Sequence, residues 1–141
     1  MGTRRKSREA ALQFLYQNDF VKVADVSDDL VLAESFHLFC SLYQVNKKAR
    51  PYALDLVQGV LGKIEKIDEL IGAAGSHWRL SRIAPTDRNL LRIAVFEMIL
   101  MDEVPPQVAI NEAVEIAKRF AGDESPRFIN GVLDAVRGNL A

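Results

Sequence analysis

The stretch Val104–Val136, VPPQVAINEAVEIAKRFAGDESPRFINGVLDAV, decides the fold class. Pro105 and Pro106 block helix on their N-terminal side and pre-set φ for a first turn. Ile110, Ala113, Ala117 and Phe120 follow at steps of three, four and three, an apolar stripe of helical period. Gly122 is expected to end that helix at the C′ position. Ser125 and Pro126 read as the N-cap and first residue of a second helix. Phe128, Ile129, Val132, Leu133 and Val136 give it a wide apolar face. Gly131 interrupts it at a cost of about 1 kcal/mol against alanine, which predicts the close approach of another backbone. The stripes of these two helices are expected to form the centre of a C-terminal bundle.

Working outward, Pro85 opens a helix to about Met101, with Leu91, Val95 and Met98 on one face. His77, Trp78 and Leu80 before it read as a short anchored turn, with Trp78 as a core anchor. Gly72–Gly75 is rich in small residues and reads as a boundary. Pro51 suits the start of a helix to about Ala74, where Val60, Ile64, Ile67 and Ile71 keep helical steps. Gly59 and Gly62 within it suggest close packing. Asn46–Arg50 is a basic turn, and Val21–Val26 a weakly patterned connection. Between them, Ser27 or Asp28 caps a helix from about Asp29 to Tyr43, with Leu32, Phe36, Phe39 and Tyr43 on its face. The first helix runs from Thr3 to about Phe20. No segment alternates like a strand, and Asn130-Gly131 lies inside a helical pattern, so it is not a hairpin turn. The class is all-α, with six to seven helices in two packed subdomains, about 1–74 and 75–141.

The 141 residues suit one domain, and 49% hydrophobic content is enough for a core. A net charge of −1 gives no global pull toward nucleic acid or anionic membrane, so any such binding needs a local patch. The one cysteine, Cys40, excludes an internal disulfide and reads as a small buried apolar residue. No apolar run is long enough to span a membrane, and the N-terminus lacks the apolar core of a signal peptide, so the expected location is the cytoplasm.

The most informative polar feature is TRRKSRE, residues 3–9. Arg4, Arg5, Lys6 and Arg8 place four cations in five positions, with only Glu9 nearby to compensate. A solvated helix end is the plain reading. Cations at a helix N-terminus oppose the macrodipole, however, by a few tenths of a kcal/mol each, so an anionic partner explains the cluster better. Arg5, Arg8, Leu12 and Tyr16 fall on one stripe, which would set two guanidinium groups and a phenol on one face. Guanidinium binds phosphate bidentately and an aromatic ring stacks on an unpaired base, which suits single-stranded RNA. Phe128 reads either as core or as a base-stacking or partner-facing ring at a helix start. Asp123 and Glu124 before it suit the helix dipole; near RNA they would weaken phosphate binding.

Catalytic signals are missing. His37, His77 and Cys40 make no metal-ligand spacing, and no phosphate loop, dinucleotide fingerprint or nucleophile elbow occurs. Asp87, Arg88 and Arg92 read as surface charges and helix partners, and Glu97, inside AVFEMIL, as a paired structural carboxylate.

Three blocks together resemble the NusB family of transcription antitermination factors: RRKSREAALQFLYQ (Arg4–Gln17), DRNLLRIAVFEMI (Asp87–Ile99), and VAINEAVEIAKRF followed by FINGVLD. Ser7 stands where alanine is common in the family, and Phe96 where tyrosine is frequent; residues 21 to 50 match weakly. The resemblance implies an all-helical fold of two bundles and no enzyme activity or cofactor. It implies binding to the boxA element of nascent ribosomal RNA transcripts jointly with NusE, a small-subunit ribosomal protein. It also implies a place in the RNA polymerase elongation complex with other Nus factors. By position, Arg4, Arg5, Lys6 and Arg8 match the family's arginine-rich RNA-binding motif. Tyr16 and Phe128 match aromatics on or near that surface, and Asp87 and Arg88 the region that meets NusE. Two other classes stay open: a helical adaptor that binds only protein, and a NusB-like accessory domain of an RNA-modifying enzyme, against which the chain length argues.

Overall fold

The computed structural model describes residues 2–21, 28–75 and 79–140. Seven α-helices span them: α1 (Thr3–Phe20), α2 (Asp29–Leu42), α3 (Arg50–Gly62), α4 (Ile64–Ala74), α5 (Pro85–Leu100), α6 (Pro106–Phe120) and α7 (Ser125–Leu140). Short 3-10 turns occupy Lys47–Ala49 and Leu80–Arg82. No strand occurs among the described residues, and none of the helices is long and apolar enough to cross a membrane. The starts follow local chemistry. The Asp28 carboxylate accepts from the backbone N–H of Leu30 (3.0 Å) and Val31 (3.3 Å) and caps α2. Asn46 caps the first 3-10 turn by accepting from the Lys48 N–H at 2.9 Å. Proline opens α5 and α6.

The chain forms two compact units, Met1–Gly62 and Lys63–Ala141. In the first, α1 packs on α3 and α2. Phe14 meets Phe36 and Phe39 edge to face, at 5.3 and 5.4 Å between ring centres, geometries that add about 1 kcal/mol each beyond area burial. Leu15, Leu32, Leu56, Val57 and Val60 complete this core. Cys40 is buried in it, as expected. Burial pushes its thiol pKa up, with the Arg50 guanidinium pulling the other way. Arg50 also donates to the carbonyls of Val45 (3.0 Å) and Cys40 (3.3 Å), clamping the turn after α2.

In the second unit, α5 packs against α4, α6 and α7 and is buried without interruption from Asn89 to Glu97. The centre of this bundle is therefore α5. The stripes of α6 and α7 are buried against it and against each other, and share the core as expected. Arg92, expected at the surface, is only 8% exposed. Its guanidinium donates to Asp68 of α4 through Nε to Oδ1 (2.8 Å) and Nη2 to Oδ2 (3.0 Å), and to Asn89 Oδ1 at 3.1 Å. A fork this regular lets an arginine be buried against its own desolvation.

Other expectations need correction. The helix read from Pro51 to Ala74 is two helices, interrupted at Lys63. The units divide there, and α4 belongs with the second. Gly62 lowers helix propensity at the break. A Cβ built on Gly62 or Gly131 meets nothing within 4 Å, so neither glycine serves a close approach. The helix α6 stops at an extended Ala121, and no glycine among the described residues adopts positive φ; Gly122 follows the stop without a left-handed cap. Phe120 is exposed, and the α6 stripe is instead Ala109, Ile110, Ala113, Ile116 and Ala117. Ser125 is the first residue of α7, but its hydroxyl donates to Asp87 of α5 at 3.1 Å. Expectations on residues 22–27, His77 and Trp78 lie outside the described residues.

Candidate nucleic-acid interface

The basic cluster occupies the first two turns of α1. The Gly2 N-cap offers no side-chain acceptor, and the first turn holds no acid to complement the helix dipole. Arg4 and Lys6 are exposed and Arg5 is partly so. Ser7 is fully buried, and its hydroxyl bonds the carbonyl oxygens of Thr3 (3.0 Å) and Ala49 (2.7 Å). Arg8 is 4% exposed and Leu12 3%. The stripe Arg5, Arg8, Leu12, Tyr16 is thus not a solvent face in its middle. Arg4, Arg5 and Lys6 are the cations that reach water.

Tyr52 of α3 sits beneath this cluster. The Arg4 guanidinium carbon lies 3.9 Å from its ring centre and that of Arg8 at 5.9 Å, within cation–π range. This residue was not singled out from sequence. Its one local signal is an aromatic beside Pro51 at a helix start; nothing near it in the chain says that it meets α1.

Tyr16 lies two turns further on, about 12 Å along the axis from Arg8. It is 41% exposed and stacks obliquely on Phe20 at 5.1 Å. With Phe20, Leu38, Leu42 and Tyr43 it lines an apolar groove of 480 Å³. The structure therefore groups Tyr16 with an apolar surface rather than with the arginines.

In the second unit, Phe128 and Asp87 line one groove of 350 Å³ together with Arg79, Arg82, Glu124 and Ser125. The starts of α5 and α7 meet there through the Ser125–Asp87 bond. Burial raises the Asp87 pKa above its ordinary value, and the Ser125 hydrogen bond partly offsets this. Its other oxygen, Oδ1, is buried without a hydrogen-bond partner. Arg88 is half-buried and donates to the carbonyls of Leu80 and Ile83, both at 3.4 Å. It holds the Leu80–Arg82 turn onto α5. Sequence reasoning missed Arg79 and Arg82, whose spacing carries no motif. The groove thus joins cations, carboxylates and an aromatic ring, a set able to hold a polar ring system or a phosphate.

Compared with known proteins, residues 5–137 match the model of the NusB family. The chain is 62% identical over 138 residues to a protein described as transcription antitermination protein NusB from Desulfotalea psychrophila, covering 97% of this chain and 96% of that one. It is similar to the solved structure of T. maritima NusB, with a TM-score of 0.81 and 32% identity over 96% of this chain and 90% of that one. It is also similar to a chain from a crystal structure of antitermination factors NusB and NusE in complex with dsRNA. There the TM-score is 0.80 and the identity 28%, over 97% of each chain.

Proposed function

The chain belongs to the NusB family, and on that premise we propose that it is a non-catalytic RNA-binding antitermination factor of the bacterial cytoplasm. It binds the boxA element of ribosomal RNA transcripts together with NusE. In the RNA polymerase elongation complex, with other Nus factors, it suppresses premature termination. The observation that carries this reading is the cationic start of α1: Arg4, Arg5 and Lys6 face water at an uncapped helix N-terminus that holds no acid in its first turn. The neighbour solved with NusE and dsRNA supports the choice of partners.

The cations neutralise phosphates and release counterions, so affinity falls with salt. Arg8 and Tyr52 hold this surface from beneath. Tyr16 and Phe128 offer rings to unpaired bases, and the region of Asp87 and Arg88 meets NusE. Two partners joined in one complex raise each other's effective concentration, so RNA binds more tightly when NusE is present.

A protein-only adaptor is the second reading. It is favoured by the exposed apolar groove of Tyr16, Phe20, Leu38, Leu42 and Tyr43. A gel-shift titration with boxA-like RNA, with and without NusE, separates the two. Salt-dependent RNA binding that tightens with NusE is the expected result. NusE binding with no RNA shift under any salt condition would establish the adaptor instead.

A further inference from the structure

The bond from Ser7 Oγ to the Ala49 carbonyl joins two basic segments that lie far apart in the chain. It is 2.7 Å long, buried, and spans 42 residues. On one side of it stand Arg4, Arg5 and Lys6. On the other is the 3-10 turn Lys47–Ala49, which packs against α1. Lys47 and Lys48 are both exposed on that turn.

The turn is held from several directions. Asn46 caps it, Arg50 clamps the chain just before it through Val45 and Cys40, and Ala49 is completely buried. Two residues ahead of Asn46, Gln44 takes a left-handed φ of 54°. That conformation costs a non-glycine residue about 1 kcal/mol, and here it redirects the chain from α2 toward α1. The backbone carrying the two lysines is therefore fixed before any ligand arrives. Only their side chains remain to be ordered, which lowers the entropic cost of binding.

Placing more cations beside the start of α1 adds like-charge repulsion to an already unfavourable dipole. A polyanion crossing both segments adds attraction to each of these cations and offsets both penalties. We propose that the RNA-binding face of the first unit is composite: Lys47 and Lys48 extend the track of Arg4, Arg5 and Lys6 along the phosphate backbone, and Ser7 locks the two segments in register. This inference rests on the RNA-binding reading above.

The test uses the full chain and a boxA-like single-stranded RNA, titrated at several salt concentrations. Three variants are compared with the parent: Lys47→Gln with Lys48→Gln, Ser7→Ala, and a charge-matched control, Lys66→Gln with Lys118→Gln. The control lysines sit in exposed pairs with Glu69 and Glu115. The first variant is expected to bind about tenfold more weakly at low salt, with a log–log salt slope shallower by about 1.4, the single-strand value for two lost phosphate contacts. The control is expected to match the parent. Ser7→Ala keeps every charge and is expected to bind several-fold more weakly while melting as a folded protein. Parent affinity and slope in the Lys47/Lys48 variant would overturn the composite face. Parent affinity in Ser7→Ala would overturn the lock. Absence of RNA binding by the parent chain would instead refute the RNA-binding reading, and the composite face with it.

Discussion

Arg92 and Asp68 share two nearly parallel hydrogen bonds, 2.8 and 3.0 Å long, that tie α5 to α4 inside the second unit. Arg92 is the more buried partner. Removing Asp68 would take two charge-assisted hydrogen bonds from a buried guanidinium, a loss of about 1.5–3 kcal/mol. Asp68→Ala is therefore expected to lower the melting temperature by several degrees. Arg92→Lys keeps the charge but not the fork, and is expected to fall between that variant and the parent. A melting temperature unchanged in Asp68→Ala would show that the pair contributes nothing to stability.

Gly131 offers the opposite opportunity. It lies inside α7, exposed, with open space where a Cβ would go. Gly131→Ala is expected to stabilise the protein by up to about 1 kcal/mol, through helix propensity and a less disordered unfolded state. Denaturant unfolding checks this: the midpoint should rise with no change in slope. A lowered midpoint would mean that the added methyl meets a neighbour.

The burial of Arg8 separates two effects that a sequence reading merges. Arg4→Ala and Lys6→Gln remove exposed cations and are each expected to flatten the salt dependence of RNA binding by about 0.7; melting should hold in Lys6→Gln and fall slightly in Arg4→Ala, which loses the Tyr52 stack. Arg8→Ala should lower affinity too, but with a clear loss of thermal stability, because it empties a packed position beside Tyr52. Parent-like melting of Arg8→Ala would contradict the packing role.

Asp87 gives a pH dependence whose sign follows from its environment. Burial raises its folded-state pKa above the ordinary carboxylate value. The folded state therefore binds this proton more tightly than the unfolded chain does. Its stabilising effect is present at low pH and is lost as pH rises through the raised pKa. Asp87→Asn removes this titration while keeping an acceptor for the Ser125 hydroxyl. Its stability relative to the parent is expected to improve as pH climbs from below 4 toward neutrality. A constant difference across that range would assign Asp87 no linkage to folding.

Helical content and most element boundaries were legible because proline, asparagine and aspartate act locally: Pro85, Pro106, Asp28 and Asn46 start the elements that they were read to start, or cap the turn that follows. The break at Lys63 was not legible, since Ile64, Ile67 and Ile71 continue the apolar period of α3 across it. Periodicity reports which residues face inward, not whether one axis continues. Arg8 and Arg92 were read as solvent-facing, and the burial of Ser7 carried no signal in the sequence. Each is polar, and each is buried against a distant segment: Tyr52 lies beside Arg8, Asp68 holds Arg92, and Ala49 accepts from Ser7. The groove of Arg79, Arg82, Asp87 and Phe128 is likewise a product of tertiary assembly. Its residues carry no shared spacing.

The burial of α5 from Asn89 to Glu97 on every side has a kinetic consequence. Solvent reaches those amides only when α4, α6 and α7 move off together, so no local fraying exposes them. Their hydrogens should exchange last in the second unit, at a rate that reports its complete unfolding, while amides near the helix ends exchange through smaller openings.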